Sequence, residues 1–260
     1  MILQDLDKLE EESVYVLREA KKHFKKLCCL WSMGKDSTVS VALARKAFFG
    51  KVPFPLVYIN NGIDFQETYD YRDKLVKEWG LDLIEEKSII KDDDISGVSC
   101  CGANKTEALM RVLDEHGFDG VIVSIRRDEH GIRSKERVFS PRDKDFKWDY
   151  KDQPAEMWGE YTSKFGDNSS HVRIHPLLHW NEIDTWRYVQ REKIPVNPLY
   201  FAKDGQRYRS LGCTRCTVPV DSNAETIADI IDELQNTQVE ERSGRAQDKE
   251  KEHVMQRLRA

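Results

Sequence analysis

The chain has 260 residues, 39% of them hydrophobic and 33% charged, a balance that fits one large globular domain or a domain with a tail and excludes a disordered or fibrous chain. Lys plus Arg number 41 against 46 Asp plus Glu, a net charge of −5, which disfavours nucleic acid because phosphate backbones are held by an excess of cations. No run approaches the ~20 apolar residues of a membrane span, and the amphipathic, initially acidic stretch Met1 to Lys26 resembles neither a signal nor a transit peptide, so a cytoplasmic protein is expected.

In chain order, Asp5 to Lys26 carries apolar residues at a helical period, among them Leu6, Leu9, Leu17 and Phe24. Leu27 to Trp31 reads as a strand that breaks into the polar turn Ser32-Met33-Gly34-Lys35-Asp36-Ser37, and Thr38 to Phe49 resumes as a helix. The pattern then repeats. Phe54 to Ile59 is a strand, Asn60-Asn61-Gly62 a turn and Gln66 to Trp79 a helix; Leu81 to Ile84 and Val121 to Ile125 are further strands, with a helix over Lys105 to His116 between them. Phe139 to Asp167 reads as a long irregular excursion, Arg173 to Leu178 and Trp180 to Gln190 as one more strand and helix, Ala224 to Leu234 as an amphipathic helix, and Gln238 to Ala260 as a charged tail.

Strands alternating with helices of these lengths predict an α/β fold, a doubly wound and mostly parallel sheet with right-handed crossovers. Residues 1–200 are read as that domain, and residues 201–260 as a Cys-x-x-Cys segment and helical tail packed on it. Ligands of such sheets sit outside the carboxyl ends of the strands. The polar segments 32–37, 60–65 and 126–137 each follow a strand, so the three are expected to converge on one edge, joined there by His175, His179 and Trp180.

The turn at Ser32 to Ser37 points backbone N–H groups and a helix N-terminus at one place, which suits a phosphate. Lys35 adds a positive charge, Ser32 and Ser37 add hydroxyls, and Asp36 is placed to orient Mg²⁺ or the turn itself. It is not a Walker A loop, whose spacing is absent. Downstream, Arg126, Arg127, Arg133, Lys135, Arg137 and Arg142 set six cations within 17 positions, and guanidinium forks suit tetrahedral oxyanions such as sulfate and phosphate. The six cysteines come as Cys28-Cys29, read as packing residues of the first strand, Cys100-Cys101, and Cys213-x-x-Cys216. Four thiolates suit a [4Fe–4S] cluster, and zinc or no metal are the alternatives.

The segment Ser32 to Ser37 resembles the PP-loop of N-type ATP pyrophosphatases, in the version used by the PAPS reductase family. The stretches Arg126-Arg127-Asp128-Glu129, Lys135-Glu136-Arg137 and Phe139-Ser140-Pro141-Arg142-Asp143, together with Arg242 to Asp248, are similar to the small catalytic subunits of bacterial sulfate adenylyltransferases within that family. The resemblance implies an adenine nucleotide α-hydrolase-like fold and adenylyl transfer from ATP to sulfate, giving adenylylsulfate and pyrophosphate. It implies ATP and Mg²⁺ as ligands and a GTPase large subunit as partner, or else a homo-oligomer. Catalytic roles fall to Lys35, Asp36, Arg126, Arg127 and Arg133, and nucleotide contacts to Ser32, Gly34, Lys35, Asp36, Ser37, Asn60 and Gly62. Asn60 stands where the family usually carries an acid, which removes a negative charge beside the nucleotide. Cys100, Cys101, Cys213 and Cys216 match the cluster-binding pattern of adenylylsulfate reductases, but those enzymes also need a nucleophilic cysteine near the C-terminus, and none follows Cys216. An iron–sulfur sulfurtransferase, a reductase-like protein and a non-catalytic nucleotide-binding regulator remain as alternatives.

Overall fold

A computed structural model of the chain describes residues 5–88, 100–129, 131–151, 153, 155–156, 161, 169–237 and 241. Helix α1 (Leu6–His23) starts at Asp5, whose side chain accepts the Asp7 N–H, and it buries Leu9, Ser13, Val16, Leu17 and Ala20 along one stripe. Strand β1 (Leu27–Leu30) leads into α2 (Lys35–Ala47), β2 (Leu56–Asn60), α3 (Gln66–Trp79), β3 (Leu83–Lys87), α4 (Cys100–His116) and β4 (Gly120–Ile122). Then come β5 (Phe139–Asp143), β6 (Ser169–Ile174), α5 (Glu182–Glu192), the short ribbon β7 (Gln206–Arg207) and β8 (Val220–Asp221), and α6 (Ile227–Asn236).

The main sheet runs β3-β2-β1-β4-β6-β5, parallel throughout except for β5, which pairs antiparallel with β6. Alternation along β1 decides the two faces. Leu27 and Cys29 join the large core shared with α1, α2, α3, α5 and α6, while Cys28 turns to the smaller cluster of Val57, Val121, Leu109, Val112 and Leu113 beneath α4. Both Cys28 and Cys29 are therefore buried packing residues, as expected. Helices cover both faces, as parallel strands require. The strand order reverses about β1, so the loops after β1, β2 and β4 open together at the carboxyl edge.

Several elements differ from expectation: α4 begins at Cys100 and not Lys105, β4 ends at Ile122 and not Ile125, the β7–β8 ribbon is additional, and two further differences have a local cause. Phe139–Asp143 is an edge strand and not the start of an irregular excursion; Pro141, which cannot donate to a ladder, disguises it in sequence and is tolerated because the strand lies at the sheet's edge. Strand β6 ends at Ile174 and not at Leu178, because Pro176 stops the ladder and the chain turns through His175 to Leu178. The tail beyond residue 237 lies outside the described residues, apart from Glu241.

Packing at the amino ends of β1 and β4 is tight. A Cβ at Gly120 would stand 2.6 Å from Phe24 Cγ and 2.9 Å from Leu27 Cδ1, whereas one at Gly131 would meet nothing within 4 Å. Gly120→Ala is therefore expected to cost about 1–3 kcal/mol in urea unfolding, and Gly131→Ala to stay within about 0.5 kcal/mol. His175 is buried, its Nδ1 2.8 Å from the Arg137 carbonyl, and burial reinforced by Arg142 and Arg173 lowers its pKa from 6.5 to about 3. The unfolded chain thus takes up a proton that the folded chain refuses, so stability falls as pH drops below about 6.5. Between about pH 7 and 5.5, urea midpoints should fall less steeply in His175→Gln than in the unsubstituted protein.

Candidate functional site

The loop after β1 is shaped by its own side chains. Met33 takes a left-handed φ of 61° yet is fully buried, which turns the chain sharply before Gly34 caps α2. Ser37 donates to the Gly34 carbonyl (3.0 Å) and lies 3.2 Å from the Ser32 hydroxyl. The Lys35 N–H donates to the Tyr200 hydroxyl (2.9 Å), and the Trp31 indole and the Tyr71 hydroxyl both donate to Thr38 (3.1 Å each), so the first turn of α2 is fixed from three sides.

A cavity of about 370 Å³ opens over this turn, within the ordinary range for small-molecule sites. Ser32, Gly34, Lys35, Asp36 and Ser37 form one wall; Glu129 and Arg133 from the segment after β4 form another. Tyr58 and Asp64 come from β2 and its loop, Thr68 from α3, Lys105 and Thr106 from α4, and Val57, Leu109 and Val123 add apolar lining. The predicted convergence of three loops on one edge is what the structure has. Asn60 and Gly62, however, do not line the cavity. The Asn60 side chain accepts from Gly62 N–H and the Tyr69 hydroxyl and donates to Glu85, closing its own turn.

The electrostatic centre is a buried charge cluster. Lys35 is 2% exposed and Arg126 is fully buried. Arg126 hydrogen-bonds Asp36, Glu241 and Asp128 (2.9 Å to the last), while Lys35 meets Glu241, Asp36 (3.3 Å) and Glu182 (4.0 Å). Thr185 of α5 also donates to Asp36 (3.2 Å), and Arg209 grips Glu182 (2.8 Å). Burial disfavours the Lys35 and Arg126 charges, but Asp36 and Glu241 outweigh it, and both are held more firmly protonated than usual. Burial raises the Glu182 pKa, and the nearby Glu241 charge raises it further. Burial likewise raises the Tyr200 phenol to about 12, so it stays a neutral hydroxyl beside Lys35.

The other cations of the arginine segment disperse. Arg133 reaches the cavity wall paired with Glu129. Arg127 turns its Nη2 to the Glu136 carbonyl (3.2 Å) and does not line the cavity. Arg142 is buried against Glu136 (2.6 Å), and the Lys135 ammonium lies 4.9 Å over the Tyr150 ring. The segment is thus divided between the cavity and the β5 edge, because its own acids, Glu129 and Glu136, each claim an arginine. His175 and Trp180 sit in the core, and His179 pairs with Glu12 of α1 (2.6 Å); none of the three lines the cavity.

Cys213 and Cys216 are buried with their sulfurs 2.7 Å apart, packed against Ile63 and adjoining the cavity residues Ser210, Leu211 and Gly212. The Cys100 and Cys101 side chains lie outside the described residues, as do Arg242 and Arg245. Among the described residues no group of three His, Cys, Asp or Glu gathers in a metal-binding arrangement. Sequence reasoning missed Glu241, Tyr200, Glu182 and Thr185, which come from elements remote in sequence and carry no local motif.

The family model for the phosphoadenosine phosphosulfate reductase domain matches residues 26–219. A sulfate adenylyltransferase subunit 2 from Pseudomonas fluorescens (strain Pf0-1) is 38% identical over 289 aligned positions, covering 95% of this chain and 93% of that protein. One from Rhizobium tropici is 39% identical over 288 positions, covering 97% and 90%. Among solved structures, FMN adenylyltransferase from Candida glabrata in complex with ATP superposes with a TM-score of 0.58 at 18% identity, covering 87% of this chain and 71% of that one. The phosphoadenylyl-sulfate reductase from Candida auris, as a phosphate complex, gives 0.54 at 19% identity, covering 84% and 99%. These last two share the fold. With the family model spanning residues 26–219 and relatives aligned along nearly the whole length, this chain belongs to the phosphoadenosine phosphosulfate reductase domain family.

Proposed function

We propose that the protein transfers the adenylyl group of ATP to sulfate. A sulfate oxygen attacks the α-phosphorus, the bond from that phosphorus to the bridging oxygen breaks, and pyrophosphate leaves with the electron pair. The observation that carries the reading is a cavity bounded by the Gly34–Ser37 turn, Lys35 and Arg133, with Arg126 buried behind its lining residues Asp36 and Glu241. Two anions must be brought together, so the main catalytic task is charge neutralisation and alignment, and no protein nucleophile is needed. Lys35 and the α2 N-terminus suit the departing phosphates. Arg126, held in place by Asp36 and Asp128, suits charge building on the reacting phosphoryl group, and Arg133 the incoming sulfate. The relatives' name, sulfate adenylyltransferase subunit 2, supports sulfate as acceptor.

Mg²⁺ would be carried largely by the phosphates, as is usual for this ion. Asp36 is the carboxylate of the turn that fits it, and the ion would supply further neutralisation of phosphate charge. The word subunit in the relatives' name supports a heteromer, and we extend this to a GTPase large subunit that drives an otherwise uphill reaction. Residues 1–200 would form the nucleotide domain and 201–260 an appended segment, α6 burying Ile230, Ile231 and Leu234 against the same core. Cys28 and Cys29, both thiols inside β1, favour a reducing cytoplasm.

A second reading is a [4Fe–4S]-bearing ATP pyrophosphatase that activates a target for sulfur transfer. It draws on the Cys213–Cys216 pair beside the cavity and on α4 beginning at Cys100-Cys101. Pyrophosphate release from ATP, measured with and without sulfate, separates the two: dependence on sulfate is expected, and release indifferent to sulfate alongside bound iron and sulfide would select the second. Lys35→Ala and Arg133→Ala should each lower sulfate-dependent release by about 10²–10³-fold, the range for removing one charge-stabilising donor. Arg127→Ala, whose side chain serves the loop backbone, should lose less than either.

A further inference from the structure

Glu241 is distant in sequence from everything it touches, 206 residues from Lys35 and 115 from Arg126. Its carboxylate nevertheless sits at the cavity wall between those two cations, Oε1 taking the Lys35 ammonium and Oε2 the Arg126 guanidinium. One anionic group bridging a lysine and an arginine at the first turn of a helix is the arrangement expected of a bound phosphate. Other carboxylates share the same cations. Asp36 and Asp128 already engage Arg126, Asp36 and Glu182 face Lys35, and Arg209 holds Glu182. Three cations (Lys35, Arg126, Arg209) thus face four carboxylates (Asp36, Asp128, Glu182, Glu241), one more negative charge than positive. Its side chain lines the same cavity as the Ser32–Ser37 turn.

We propose that the Lys35–Arg126 bridge is the seat of the leaving pyrophosphate and that Glu241 is an intramolecular competitor for it, withdrawn when nucleotide or pyrophosphate binds. The identity of the ligand rests on the function proposed above; the competition does not depend on turnover. Glu241 holds the two buried cations in register while the seat has no ligand, so that neither is left uncompensated. A phosphate arriving with Mg²⁺ presents more oxygens to the same cations, together with the Ser32 and Ser37 hydroxyls, and takes the place over.

Calorimetric titration of the full-length chain with pyrophosphate and Mg²⁺ tests this on the unsubstituted protein, Glu241→Ala and Glu241→Gln. Both variants should bind about tenfold more tightly, the factor expected if Glu241 fills the seat about nine-tenths of the time. Without ligand they should melt below the unsubstituted protein, and saturating pyrophosphate should raise their melting temperatures by more. Equal or weaker affinity in the variants would overturn the proposal and make Glu241 a positioning residue for Lys35 and Arg126; absence of pyrophosphate binding in all three proteins would overturn it as well. Should Glu241→Ala not fold, Glu241→Gln, which keeps the volume and one acceptor oxygen, carries the comparison. Tighter pyrophosphate binding without sulfate-dependent turnover would leave the competition standing and remove adenylyl transfer. Sulfate-dependent turnover with unaltered pyrophosphate affinity would do the reverse.

Discussion

Lys35 and Arg126 are buried side by side at the carboxyl edge of the sheet, and the site is arranged around that constraint. A buried cation without a partner destabilises a fold by about 3–5 kcal/mol, so carboxylates must reach it from wherever the chain can supply them. Asp36 comes from the same turn, Asp128 from the segment after β4, Glu182 from the start of α5, and Glu241 from beyond α6. Four remote parts of the sequence are thereby tied to one point. Because these ties are ionic, Lys35 and Arg126 keep their charges despite burial, which is what binding a polyphosphate requires.

The sheet explains why this point exists. With β1 central, and β2 and β4 on either side, the loops that follow them cannot avoid one another at the carboxyl edge. The turn after β1 is made rigid by the buried Met33, the Tyr200 hydroxyl and Thr38, so the helix end faces the cavity without depending on a ligand to shape it. Preorganisation of this kind places donors before charge develops, which is the economical way to stabilise a transition state.

Much of the fold was legible in the sequence, because period and punctuation agreed. Helix α3 was read from Gln66 to Trp79 and forms over that span, closed by Gly80 at a φ of 60°. The PP-loop and the convergence of three loops were legible because polar residues after apolar runs have few structural excuses. Strand β5 was not legible, since Pro141, Arg142 and Asp143 contradict strand propensity and only pairing with β6 justifies them. The arginine segment was read as one block. Glu129 and Glu136 were visible beside it, but their choice of Arg133 and Arg142 is a matter of three-dimensional reach. The position of Asn60 after β2 suggests a nucleotide contact, yet an Asx-type turn absorbs its side chain. Glu241 lies one residue before the family-like segment Arg242 to Asp248, and nothing in a charged tail marks which carboxylate will be buried.

The central claim is that the glycine turn and the arginine segment act on one triphosphate and one sulfate within a shared cavity. Exchange of labelled pyrophosphate into ATP tests it most directly, because it reads formation and reversal of the adenylylsulfate bond at the same site. The account predicts exchange that requires sulfate and disappears in Lys35→Ala. Exchange that proceeds equally without sulfate, or that survives loss of Lys35, would contradict it.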